Sequence, residues 1–363
     1  MMSLIQNVIR REILDSAPYV IPDSTGLVKL DSMENPYLLP EELRVRLAQH
    51  LSEQMLNRYP MASYRALKDK ICLEFGVPSG FDVMLGNGSD ELISILSITC
   101  AKPGAKVLTP VPAFVMYEMA AQFAGMEFVG VPLQPDFSLD CDAMVVAIKA
   151  HRPVITYLAY PNNPTGNLFE REAMCTILEA VGDTGIVVVD EAYSPFALKS
   201  FMSELPKYSN LVVMRTVSKL GLAGIRLGYM SASAELLAQF DKVRPPYNVN
   251  ILTEAAATFI LEHKVVLDDQ AACLRADREQ LALALKAIDG ISVFPSSANF
   301  LLFRVHSDKY SGHDIYKKLL KNKVLIKNVG KMHLLLENCL RVTIGTPHEN
   351  DLFIIALKKS LEA

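Results

Sequence analysis

The stretch Ile186-Val187-Val188-Val189-Asp190-Glu191-Ala192-Tyr193 decides the fold. Its four apolar residues read as a short strand covered on both faces. A carboxylate set directly on the end of such a strand needs a partner. Working outward, similar runs recur at 82–85, 106–109, 154–159, 211–215 and 228–231. Helical patterns lie between them at 91–99, 113–123 and 170–181. The alternation predicts an α/β unit built on a parallel sheet.

Beyond about residue 253 the pattern changes. A long helical stretch runs to about 288, then short strands are expected at 291–294, 300–304, 324–327 and 339–344. Helices are expected at 312–321 and 349–361, which makes this region a smaller α+β unit. Before residue 41 the chain is Pro-rich and irregular, as expected of an arm that wraps over another domain or subunit. The boundaries expected are an arm over 1–40 joining the small domain, a large domain over 41–252 and a small domain over 253–363.

Composition narrows the function classes. The 363 residues are 50% hydrophobic and 21% charged, as in a globular protein with a sizeable core. The 36 basic and 40 acidic residues leave a net charge of -4. No basic run is present, so neither nucleic acid nor an anionic membrane surface is an expected partner. No apolar stretch reaches the length of a membrane span. The charged first twenty residues do not read as a secretory leader. The six scattered cysteines contain no C-x-x-C pair and read as reduced thiols in a cytoplasm. Seven histidines without ligand spacing predict no metal.

In open α/β sheets ligands bind beyond the carboxyl ends of the strands. After 154–159 comes Tyr160-Pro161-Asn162-Asn163-Pro164-Thr165-Gly166, a turn stiffened by its prolines and glycine. After 211–215 comes Thr216-Val217-Ser218-Lys219, then a Gly-rich loop and Arg226. After 82–85 comes Gly86-Asn87-Gly88-Ser89-Asp90, leading into a helix whose backbone N–H groups can cradle an anion. Singly, each piece is weak: a lone Asp at a strand end is as often a helix cap, and an isolated Ser-Lys pair is usually a solvated loop. Together they offer an anion cradle, an amide, a carboxylate and a lysine near an arginine. A lysine amine of lowered pKa attacks aldehydes. A carboxylate keeps a pyridine nitrogen protonated, so that the ring accepts the electrons of a carbanion. Asn163 or Tyr193 could bond the ring oxygen, and Tyr117 could stack on the ring.

This set resembles the fold-type I, aspartate-aminotransferase superfamily of pyridoxal-phosphate enzymes. The matching pieces are Pro161-Asn162-Asn163-Pro164-Thr165-Gly166, Asp190-Glu191-Ala192-Tyr193, and Ser218-Lys219 with Arg226 seven residues on. Within it the chain is similar from end to end to the histidinol-phosphate aminotransferases. The finer markers include Lys29-Leu30-Asp31-Ser32-Met33-Glu34-Asn35-Pro36-Tyr37, Asn57-Arg58-Tyr59-Pro60 and Leu340-Arg341-Val342-Thr343-Ile344-Gly345.

The resemblance implies a mixed, mostly parallel seven-stranded sheet sandwiched by helices, with pyridoxal 5'-phosphate as cofactor. It implies that Lys219 links covalently to the cofactor and moves the proton at the substrate's α-carbon. Asp190 pairs with the pyridine nitrogen, Asn163 and Tyr193 hold the ring oxygen, and Tyr117 stacks on the ring. The cofactor phosphate falls to Gly88, Ser89, Asp90, Ser218 and Arg226. Tyr59 reaches it from the other subunit of a homodimer with shared sites. Arg341 takes the anionic end of the substrate, Tyr19 and Asn35 close over it, and Asn163 also faces it. The implied reaction passes an amino group from L-histidinol phosphate to 2-oxoglutarate in cytoplasmic histidine biosynthesis. The alternatives are an aromatic-amino-acid aminotransferase and a threonine-phosphate decarboxylase.

Two departures from the family pattern carry expectations. Many relatives have one more residue than Lys219-Leu220-Gly221 between the lysine and the Gly-rich loop, so that loop is expected to be tightened. Lys327 stands where relatives often have arginine, and is expected to help bind the substrate phosphate as a point charge.

Overall fold

The computed structural model describes residues 4–18 and 20–362. At its centre is a seven-stranded sheet. Its order is Asp82–Asn87, Leu227–Ala232, Leu211–Thr216, Ile186–Asp190, Ile155–Ala159, Lys106–Val111 and Glu127–Pro132. Leu227–Ala232 runs antiparallel to both neighbours, and the other four pairings, from Leu211–Thr216 to Glu127–Pro132, are parallel. The run that ends in Asp190 is buried along its whole length. Val187 and Val189 pack into one core while Ile186 and Val188 pack into the other, so helices must cover both faces.

A second sheet is antiparallel, in the order Lys327–Asn328, Cys339–Thr343, Phe300–Val305 and Ile291–Val293. Its core includes Phe300, Phe303, Leu340, Val342 and Phe353, and also Leu30 and Met33 from the N-terminal segment.

Three expectations are corrected here. The single strand expected at 324–327 is two. Val324–Leu325 pairs in parallel with Val28–Lys29, whereas Lys327–Asn328 pairs with Cys339–Thr343. Two neighbours compete for this run, and the chain switches between them at the buried Ile326. The N-terminal segment is therefore not irregular throughout. Leu30 N–H donates to Leu325 O at 2.8 Å, and Thr343 N–H donates to Leu30 O at 2.9 Å. The long helix expected at 253–288 is broken at Glu262 and His263 into Ile251–Leu261 and Lys264–Lys286.

Candidate active site

The register of the large sheet brings the site together. Asp190 lies beside Ala159 and Met214 on the neighbouring strands. Gly228 pairs with both Gly86 and Thr216, which places the turn after Asp82–Asn87 next to the one carrying Lys219. A cavity opens at these strand ends. Its lining includes Ser89, Asp90, Tyr117, Asn163, Asp190, Tyr193, Ser218, Lys219 and Arg226.

Asp190 is buried. Its Oδ2 accepts a hydrogen bond from the Tyr117 hydroxyl at 2.7 Å, and its Oδ1 accepts one from Ala192 N–H at 3.1 Å. Burial raises its carboxyl from an ordinary 3.8 to about 6, against the pull of those two donors. Tyr117 also stacks on Tyr157, with ring centroids 4.3 Å apart. Opposite them, Lys219 Nζ donates to Ser32 O at 2.9 Å. Burial lowers its amine to about 8, and the charge of Arg341 adds to the effect. Asn163 Nδ2 donates to the Tyr193 hydroxyl at 3.2 Å. Arg341, buried and stacked over Phe300, donates to Asn163 Oδ1 and, at 3.0 Å, to Asp31 O.

Lys219 sits in one π turn, Ser218–Leu222, closed by Leu222 N–H donating to Val217 O at 3.2 Å. A π turn is wider than an α turn, and this one carries the chain from Lys219 into the Gly-rich loop. Gly221 makes this possible at φ 137, where a Cβ would stand 2.9 Å from Asn35 Nδ2.

The anion cradle is the start of helix Ser89–Cys100. Gly88 precedes it with φ 81 and ψ 171, and no side chain caps the helix end. A Cβ on Gly88 would lie 2.6 Å from Arg226 Nη2, so the guanidinium rests directly on that backbone. Arg226 itself has φ 53, an uncommon conformation outside glycine, and its Nη1 reaches Ser218 Oγ at 3.4 Å. A pyridoxal phosphate fits these groups: uncapped N–H donors and a guanidinium at one end, a buried carboxylate at the other, and an amine of lowered pKa between.

Other expected residues stand apart. Asn35 is outside the cavity lining, and its Nδ2 donates to Leu220 O at 3.1 Å and Gln270 Oε1 at 2.9 Å. It braces the Lys219 turn, where closure over the substrate was expected. Tyr59 is 78% exposed and stacked on Tyr247. Tyr19 lies outside the described residues. Lys327 is the cross-strand partner of Arg341, so the two side chains leave the same face of the sheet.

Sequence reasoning missed Ser32, Met33, Phe114 and Thr216 at the site. It also missed the support beneath Asp190. Glu191 is fully buried and paired with Arg215, whose Nη2 lies 2.7 Å from Glu191 Oε2. Ser200 Oγ and Phe201 N–H donate to the same carboxylate.

A family model described as aminotransferase class I and II matches residues 25–357. A protein from Cupriavidus pinatubonensis named histidinol-phosphate aminotransferase 2 is 58% identical, over 99% of this chain and 98% of its own. The histidinol-phosphate aminotransferase structure from Clostridium acetobutylicum superposes with a TM-score of 0.84 at 27% identity, covering 93% of this chain and 99% of that one. The Sinorhizobium meliloti enzyme of that name, solved with pyridoxal-5'-phosphate, superposes with a TM-score of 0.88 at 22% identity. It covers 98% of both chains and shows the same fold.

Proposed function

This chain belongs to the class I and II aminotransferases, and we propose that it transfers the amino group of L-histidinol phosphate to 2-oxoglutarate in L-histidine biosynthesis. The cofactor is pyridoxal 5'-phosphate. The observation that carries the reading is one buried constellation: the Lys219 amine lowered to about 8, the buried Asp190, and Arg341 locked to Asn163. The substrate follows from the names of relatives that are 54–58% identical over nearly the whole chain.

Bound there, the cofactor supplies an electron sink for negative charge at the substrate's α-carbon. Asp190 holds a proton on the ring nitrogen. Asn163 and Tyr193 hold the ring oxygen, and Tyr117 backs the ring. Gly88, Ser89, Ser218 and Arg226 bind the phosphate. Lys219, with a pKa near the working pH, is neutral often enough to act as nucleophile and then to carry a proton at the α-carbon. Arg341 takes the anionic end of either substrate, and Lys327 beside it adds a second charge for a phosphate.

We also take the enzyme to be a cytoplasmic homodimer, with Tyr59 completing the partner's phosphate site. Support comes from the exposed apolar group Met55, Leu56, Tyr59 and Met61. The arm joins the small domain 253–363 through Leu30 and Met33, while Arg10 reaches back to Phe123 O of the large cofactor-binding domain 41–252.

A substrate panel tests the reading. Purified holoenzyme should turn over L-histidinol phosphate with a higher kcat/KM than phenylalanine, and release no carbon dioxide from threonine phosphate. Preference for phenylalanine, or carbon dioxide release, would replace it with one of the two alternatives. Lys327→Ala should raise KM for histidinol phosphate and leave that for phenylalanine unmoved.

A further inference from the structure

Asp90 is a carboxylate in an anion site. It is the second residue of the helix that starts the cradle, and it lines the cavity with Arg226. Its Oδ2 lies 3.4 Å from Arg226 Nη2. That nitrogen is the one resting on Gly88. Helix N-termini favour acidic residues, so Asp90 could simply serve the helix. That role is already filled. The next residue, Glu91, turns the other way, and its Oε2 accepts Asn87 N–H at 2.7 Å and Asn248 Nδ2 at 2.6 Å. Asp90 instead faces the ligand side, and its negative charge is felt across the cavity by both Lys219 and Asp190.

From this geometry we infer that Asp90 is a positioning residue, an internal counter-anion that holds Arg226 in the cofactor-free enzyme and yields it to an arriving phosphate. Arg226 is in an uncommon backbone conformation, and its side chain is about half exposed. Without an anion, Asp90 keeps the guanidinium over Gly88. With one, two anions share a single guanidinium, and the carboxylate must give way. Asp90 therefore trades cofactor affinity for a pre-set Arg226.

The inference rests on the reading that this cradle takes the cofactor's phosphate. The test uses cofactor-free enzyme and two probes, inorganic phosphate and pyridoxal phosphate, with binding followed by calorimetry and by the cofactor's absorbance. Removing a half-exposed charge pair of this kind changes affinity by about fivefold. Asp90→Asn and Asp90→Ser should each bind both probes about that much more tightly. In an Arg226→Gln background the gain should vanish. If wild type binds phosphate in competition with cofactor but neither variant binds more tightly, the inference falls alone. A gain that persists without Arg226 also overturns it, because Asp90 would then repel through space. If phosphate does not compete with cofactor in wild type, the cradle reading falls and takes the inference with it. A purely structural Asp90 would give variants that bind more weakly.

Discussion

Replacing Asp190 with asparagine should make the cofactor-free enzyme more stable at neutral pH while costing it the cofactor. In the folded chain burial raises this carboxyl from 3.8 to about 6. Between those values the folded chain keeps a proton that the unfolded chain has released. Stability therefore falls as pH rises through the window, and the full penalty applies above it. At ~1.4 kcal/mol per unit, the shift amounts to ~3 kcal/mol. Asparagine does not titrate. It also keeps an oxygen for Ala192 N–H and can still bond the Tyr117 hydroxyl. Urea unfolding of cofactor-free wild type and Asp190→Asn would be compared at about pH 4.5 and about pH 7.5. The variant should gain ~1 kcal/mol at the lower pH and ~3 kcal/mol at the higher. Equal stability at both values, or a less stable variant at pH ~7.5, would refute the reasoning. The same substitution should weaken cofactor binding, because the charge that burial penalises is the one that a ring N–H repays.

Other substitutions test the scaffold. Gly88→Ala places a side chain at φ 81 and ψ 171, a region nearly restricted to glycine, and should cost ~1–3 kcal/mol of stability. It should also displace Arg226 and weaken cofactor binding about tenfold, read by absorbance titration. Glu191→Gln leaves Arg215 buried beside a neutral partner and should destabilise by ~3–5 kcal/mol in urea; a loss below ~1 kcal/mol would deny the pair its role. For Lys219, lowered from 10.5 to about 8, the unfolded chain binds more protons between those values. Cofactor-free wild type should thus gain stability from pH ~8 to ~10.5, and Lys219→Met should flatten that rise in a melting series.

The sequence was legible where local chemistry and tertiary role agree. The run Ile186 to Val189 reads as a doubly covered strand, and it is one, extended by one residue to Asp190. The cradle was readable because Gly88 has a conformation that other residues avoid. The edge strand Glu127–Pro132 was missed: it contains Gly130 and Pro132, which read as breakers, and it holds a place at the sheet edge. Gly130 is nonetheless suited to its position, since a Cβ there would meet Val111 at 3.0 Å. Helix Cys141–His151 was missed too, although Asp140 caps it by accepting Ala143 N–H at 2.9 Å. Contacts made by backbone atoms were not legible at all. Ser32 O, Asp31 O and Met33 O accept from Lys219, Arg341 and Asn299 in turn, and no side-chain pattern announces a carbonyl. The brace that Asn35 gives to the Gly221 turn was not legible, because that turn appears only in three dimensions.

The account turns on Lys219 as the covalent anchor of the cofactor. The most direct measurement is to reduce the holoenzyme with borohydride, digest it, and locate the cofactor's added mass by mass spectrometry. The expected result is a pyridoxyl group on the peptide carrying Lys219 and on no other lysine, absent from Lys219→Ala. Label on another lysine, or none in a preparation that retains the cofactor's absorbance, would contradict it.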